Sequence, residues 1–231
     1  MIRVTPSAKT KAPTARPKGL SMLRGLFRAG SPRAVLTAPP QAMAAAVKPP
    51  PTDLVLHQEG VILRAGQPQD FVAWARARTA SRADITVWEP DWRDKDMTRT
   101  AFLRRLRADA RQWRAGRRYS FFILEEGTER LLGGISLSDV RRGNRQAGML
   151  GYWVAKGETG RGVGTRAVAG VAHFAFNRLH LNRLEAACQP GNLGSRRILE
   201  KNGFACEGIM RRYLRINGHW CDHEIWARVQ G

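Results

Sequence analysis

The sequence predicts a mixed α/β fold: one sheet that combines antiparallel hairpins with a βαβ crossover and carries helices on its faces. Three observations predict it. Asn217-Gly218 separates two strand-like runs, residues 211–216 and 220–229, and Asn-Gly is a strong hairpin signal because both residues accept positive φ. Glu126-Gly127-Thr128-Glu129 separates two more such runs, residues 119–124 and 131–137. A strand-like run, residues 148–155, leads through Thr159-Gly160-Arg161-Gly162-Val163-Gly164-Thr165 into a helical run, residues 166–179.

Taken in order, Val61-Ile62-Leu63 reads as a short strand. Pro68 suits a first helical turn, after which Phe71, Trp74 and Ala75 follow at helical spacing. Trp88-Glu89-Pro90-Asp91-Trp92 breaks the pattern and reads as a loop. Thr98 caps a helix that carries Phe102, Leu103, Leu106, Ala110 and Trp113 on one face, and Gly116 ends it. After the central strands, the helix following the glycine run buries Val168, Val171, Ala172, Ala175, Phe176 and Leu179. Residues 184–188 form a strand stopped by Pro190-Gly191. Residues 192–201 form a short helix ended by Asn202-Gly203, and the terminal hairpin follows.

Composition divides the chain. Residues 1–52 hold nine of the twelve prolines, nine of the 39 Lys and Arg residues and none of the 19 Asp and Glu residues. A Pro-, Ala- and Arg-rich segment with so little to bury is expected to be disordered. Three readings of it stand: an electrostatic tail for RNA or another acidic surface, an organellar transit peptide, or an upstream extension before a start at Met43. Residues 20–28 allow one short amphipathic helix, weakened by Gly25. No run approaches the roughly 20 apolar residues of a membrane span, and no secretory signal is visible. Cys188, Cys206 and Cys221 match neither a CxxC pair nor a disulfide framework, so a reducing compartment is expected, most simply the cytoplasm.

The glycine run carries the functional information. A glycine-rich turn at a helix start exposes backbone N–H groups to a phosphate, aided by the helix dipole. A Walker A loop needs Gly-Lys before Ser or Thr, and that lysine is missing. A Rossmann fingerprint can be drawn through Gly162, Gly164 and Ala167, but it belongs in the first βα unit with an acid about 20 residues on. Here the loop comes late, after a hairpin. A ligand-free turn remains a further reading, although Gly157, Gly160, Gly162 and Gly164 exceed what a turn requires.

The strand, the T-G-R-G-V-G-T run, the helix, the next strand and Asn192 together resemble the GNAT superfamily of acetyl-CoA-dependent N-acetyltransferases. Gly162 and Gly164 match the glycines of its pyrophosphate loop; Thr159 stands where Gln or Arg is usual. The resemblance extends to Trp88-Glu89-Pro90, Ser138-Asp139-Val140-Arg141-Arg142-Gly143, Leu150-Gly151-Tyr152-Trp153-Val154, Asn192-Leu193-Gly194-Ser195, Lys201-Asn202-Gly203-Phe204, and the hairpin run from Ile216 to His223. These look like the ribosomal-protein N-acetyltransferase branch, the alanine type best. The resemblance covers about residues 58 to 228, which makes 58–230 the acetyltransferase domain, with a splayed, mostly antiparallel sheet.

By resemblance, Trp153, Val154 and Ala155 pair with the pantetheine arm. Gly160, Arg161, Gly162, Val163, Gly164 and Thr165 cradle the pyrophosphate, and Asn192 bonds a pantetheine amide. The same resemblance makes Ser195 the group that assists the leaving thiolate, since the tyrosine some relatives carry further along this helix has no counterpart at Ile198-Leu199. Glu185 is the expected base, acting through water; another type carries a glutamate in the terminal hairpin, where this chain has Leu214. Bland readings stand beside these: Asn192 as an N-cap, Ser195 as a helix-start residue, and Glu185 as an ion-pair partner of an arginine.

The acceptor follows from acidity. An α-amine titrates near 7.7–8.0 and lysine near 10.4, so at neutral pH the α-amine is about a few hundredfold more often neutral. A weak, water-mediated base therefore suits a protein N-terminus, expected to be that of a ribosomal protein with Ala or Ser first. The rivals are a small-molecule amine acceptor (polyamine, aminoglycoside or amino acid) and a non-catalytic RNA- or ribosome-associated protein. His219, Cys221 and His223 share one strand face but supply no fourth ligand, so no metal is expected. Trp88 and Glu89 are expected at the peptide entrance.

Overall fold

The computed structural model describes residues 49–231. The expectations for the first 48 residues, the helix over 20–28 and the start at Met43, lie outside the described residues.

Eight strands form one sheet in the order β1-β2-β3-β4-β5-β6-β8-β7: β1 (Val55–Gln58), β2 (Val61–Arg64), β3 (Tyr119–Glu125), β4 (Leu131–Arg141), β5 (Ala147–Val154), β6 (Arg183–Cys188), β7 (Ala205–Ile216) and β8 (His219–Val229). Every neighbouring pair is antiparallel except β5 and β6. The helices are α1 (Phe71–Ala80), α2 (Arg82–Ile85), α3 (Arg99–Arg114), α4 (Val163–Asn177) and α5 (Leu193–Lys201). The mixed sheet expected from the sequence is therefore present, with α4 as the crossover between the two parallel strands.

Turn chemistry explains the elements. Asn217 and Gly218 both take positive φ and join Ile216 to His219, as the Asn-Gly signal requires. β1 was not expected, yet Glu59 and Gly60 make the same kind of two-residue turn, at φ 40 and 81°, between Gln58 and Val61. Its half-exposed pattern and its single turn of warning hide such an edge strand from sequence. β7 begins at Ala205, six residues before the expected run, because bulges at Cys206/Gly208 and Met210/Leu214 break its alternation. Thr98 caps α3 by accepting from the Ala101 N–H at 3.3 Å.

Apolar side chains fill both faces of the sheet. One cluster joins Val168, Val171, Phe174 and Phe176 of α4 to Tyr119, Phe121, Leu137 and Leu150. On the other face Trp74 of α1 and Phe102 of α3, with ring centroids 5.0 Å apart, pack with Ile62, Leu124 and Leu131. A buried aromatic such as Phe102 is worth about 3–5 kcal/mol against alanine. This packing fixes the central strands firmly, and the site sits where they part.

Candidate active site

β5 and β6 are paired only from Ala147↔Arg183 to Leu150↔Ala186. Beyond that point β5 stays with β4, to Gly133↔Val154, while β6 stays with β8, to Cys188↔Glu224. The sheet opens between them, and the β6-facing edge of β5 from Gly151 to Val154 is left without a strand partner. Backbone N–H and C=O groups on such an edge are a template for an extended ligand. A cavity of about 950 Å³ occupies the opening and reaches both faces. Tyr152, Val154, Cys188, Asn192, Ser195 and Ile198 line it on the α5 side; Trp88, Glu89, Gly151, Trp153 and His223 line it toward α1 and α2.

The glycine run begins at this cavity, with Thr159 in its lining. Gly162 is the N-cap of α4 and takes φ 75°, a left-handed conformation that glycine adopts without strain. The first N–H with an acceptor inside the helix is that of Arg166, to the Gly162 carbonyl at 3.0 Å. Val163, Gly164 and Thr165 thus present the three free donors of a helix N-terminus. Gly164 also meets a packing constraint: a Cβ there would lie 2.6 Å from Ile198 Cδ1 and 3.5 Å from Val154 Cγ2. Glycine at 164 lets α4 close on α5 and on the cavity wall.

Arg161 is exposed, but its guanidinium is ion-paired. It pairs with Glu158, a carboxylate whose residue is only 8% exposed, and Arg130 from the β3–β4 turn pairs with the same group. Arg130 also holds Glu125 at 3.1 Å. The hydrogen bond from Arg130 holds the Glu158 carboxyl below the usual range, with desolvation opposing and both arginine charges assisting. A carboxylate depressed in the folded state contributes stability above its unfolded value of about 4.3, and that stability is lost as pH falls through the lower folded value. The network ties the glycine loop to β3 and β4. We expect Glu158→Gln to weaken the loop and to lower the melting temperature at pH 7, checked by thermal denaturation. Its melting temperature should fall less than the parent's between pH 5 and pH 3, because the substitution has already removed the titrating group.

Asn192 caps α5, its Oδ1 accepting from the Ser195 N–H at 3.0 Å. That bond sets Ser195 at the cavity wall, where its Oγ lies 2.9 Å from the Tyr152 hydroxyl. Burial pushes the Tyr152 phenol well above its ordinary value, so it stays protonated. Sequence reasoning found Ser195 and missed Tyr152. Residue 152 reaches α5 only because β5 and α5 flank the same opening, a relation across 43 residues.

Other expected residues are placed differently. Trp153 and Val154 line the cavity, as does Thr159. Ala155 does not: its N–H donates to the Leu132 carbonyl at 2.8 Å and is already used. Glu185 lies where β5 and β6 are still paired, opposite Met149. Its carboxylate is held by Arg183 at 2.8 Å and by Arg145 at 3.1 Å, outside the cavity lining, and the structure does not bring it together with Ser195. The ion-pair reading of Glu185 describes what is seen.

His223 is the residue that lines the cavity instead. It is 3% exposed, and its Nδ1 lies 3.1 Å from the Cys221 carbonyl. A carbonyl only accepts, so in this bond Nδ1 is the donor. The His-x-Cys-x-His run, part of the hairpin resemblance, is the sequence signal for it. Among the described residues no group of three or more His, Cys, Asp or Glu side chains could hold a metal ion.

The chain resembles known acetyltransferases in sequence and in fold. The chain matches the profile described as an acetyltransferase (GNAT) domain over residues 61–205. It belongs to the GNAT acetyltransferase family. Two curated relatives are similar. YjcK of Bacillus subtilis (strain 168), named as a probable N-acetyltransferase, is 45% identical over 109 residues, 47% of this chain and 60% of that protein. The ribosomal protein uS5-alanine N-acetyltransferase of Escherichia coli (strain K12) is 25% identical over 172 residues, 74% of this chain and 89% of that protein. The chain thus spans less than two thirds of the first and most of the second. Among solved structures, Mycobacterium smegmatis RimJ in complex with CoA-disulfide superposes with a TM-score of 0.70 at 32% identity, covering 76% of this chain and 86% of that one. The ribosomal-protein-S5-alanine acetyltransferase from Vibrio fischeri gives 0.72 at 27% identity, covering 77% and 97%. The acetyltransferase fold expected from the sequence is thus established. Among the described residues no helix is long and apolar enough to cross a membrane.

Proposed function

We propose that this GNAT acetyltransferase uses acetyl-CoA to acetylate the N-terminal α-amine of a protein, with Ala or Ser first, and that its substrate is a ribosomal protein. The observation that carries the reading is the opening between β5 and β6, with the three free N–H groups of α4 at its edge and the Ser195–Tyr152 hydroxyl pair on its wall. These residues suit acetyl-CoA by their chemistry. The N–H groups of Val163, Gly164 and Thr165 take the pyrophosphate, and the unpaired edge of Gly151 to Val154 takes the amide-bearing arm. The similarity to the uS5-alanine enzyme and to RimJ supports the acceptor class.

Acetyl-CoA, when bound, supplies a thioester carbonyl. The chain's own residues then have two proton tasks. Tyr152 donates to Ser195 Oγ, which frees the Ser195 proton for a leaving sulfur. His223, on the other face of the opening, offers Nε2 as the base for the attacking amine, directly or through one water. An α-amine near 7.7–8.0 asks far less of a base than a lysine near 10.4. The cavity wall carries five arginines against four carboxylates, which disfavours a polycationic small-molecule acceptor.

Comparing the protein N-termini of cells with and without this gene tests the acceptor. The reading requires loss of acetylation at the N-terminus of one or a few ribosomal proteins. Unaltered protein N-termini, with loss of an acetylated small amine instead, would move the function to another acceptor.

A further inference from the structure

α3 presents a stripe of four exposed arginines, of which Arg107 also borders the cavity. Arg104, Arg107, Arg111 and Arg114 recur at intervals of three, four and three residues, so they stand one turn above another on one face. That face is opposite Phe102 and Trp113, the residues the helix buries. All four are exposed. Among the described residues none of the four has a carboxylate within ion-pair distance. Asp109, the sole acid of α3, turns instead to Arg105 and Arg118, at 3.9 and 3.8 Å. Like charges one turn apart weaken a helix, so the stripe opposes the element that carries it and is uncompensated within the described fold.

The chain enters the fold at one end of this stripe. Trp113 Nε1 donates to the Pro50 carbonyl at 2.9 Å, and residues 49–51 run beside Arg114. Residues 1–48 add nine Lys or Arg and no Asp or Glu.

We propose that the exposed face of α3 is an RNA-docking surface that grips the phosphate backbone. Four guanidinium groups rise by about 5 Å from one to the next, and each can bind a phosphate through two N–H groups. Thr100 lies among them, Ala108 and Ala115 border them and Leu103 packs inward on the core, so no aromatic is there to stack on a base and the surface holds backbone without reading sequence. The same lack of a large apolar side chain argues against insertion into a lipid surface. The proposal stands apart from the acetyl-transfer reading.

The test uses the full chain and a labelled RNA hairpin, with affinity followed by fluorescence anisotropy across salt concentrations. R104Q/R107Q/R111Q/R114Q should lower the slope of log K against log salt by about 3, since each phosphate contact contributes about 0.7–0.9. The corresponding Arg→Lys variant should retain the slope. Glutamine keeps helix propensity close to that of arginine, so the melting temperature should hold. If the quadruple variant unfolds, R104Q/R107Q and R111Q/R114Q are measured separately, each losing about half of the effect. An unchanged slope in folded variants overturns the proposal. So does tighter binding of the unmodified chain to phosphatidylglycerol vesicles than to RNA.

Discussion

Ser195→Ala lowers kcat about 100-fold, the lower end of what a positioned proton donor supplies, and leaves the affinity for acetyl-CoA unchanged. The expectation rests on geometry. Ser195 is held at the cavity wall by the Asn192 cap and shares a hydrogen bond with a Tyr152 hydroxyl that burial keeps protonated. A leaving thiol of ordinary acidity, near 8.5, departs from a tetrahedral centre more easily with a proton donor beside it. Tyr152→Phe should cost a similar factor, because it removes the other half of the pair. Groups that act as a unit are not additive, so the double variant should be little worse than either single one. Steady-state kinetics for kcat and calorimetry for binding separate the two effects. A fall in affinity with kcat retained would make Ser195 a helix-start residue and nothing more.

Gly162→Val raises the dissociation constant for acetyl-CoA at least about 10-fold, or about 1.4 kcal/mol. Gly162 sits at φ 75°, where a β-branched residue is a severe outlier and any L-residue pays roughly 1–2 kcal/mol. Its Cβ would also meet Arg166 Nη1 at 3.2 Å. The backbone relieves that strain by leaving the left-handed region, which turns the N–H groups of Val163, Gly164 and Thr165 away from their common direction. The loss falls on binding, so kcat at saturating acetyl-CoA should change far less. Calorimetry measures it directly, and an unaltered affinity would remove the helix start from the account.

The sequence made legible whatever depends on neighbours in the chain. Asn217-Gly218, the Thr98 cap, the left-handed Gly162 and the Asn192-to-Ser195 cap are all local, and each is found where the residue types require it. Relations across the sheet were not legible. Glu185 and His223 lie on neighbouring strands β6 and β8, and only the register, Glu185↔Ala227 with Cys188↔Glu224, decides which of them reaches the open end. Glu185 falls in the closed part, where two arginines hold it; His223 falls at the cavity. Tyr152 meets Ser195 because strand and helix flank one opening, which no periodicity reveals. The consumed N–H of Ala155 is of the same kind, since its acceptor, Leu132, belongs to another strand.

The acceptor class is the central claim, and one measurement addresses it most directly. A synthetic peptide with a free N-terminal alanine and an internal lysine is incubated with the protein and acetyl-CoA, and the product is fragmented in a mass spectrometer. The account predicts one acetyl group, on the α-amine of alanine, with the lysine untouched. Acetylation of the lysine, or an unmodified peptide beside an acetylated polyamine supplied in the same mixture, would contradict it.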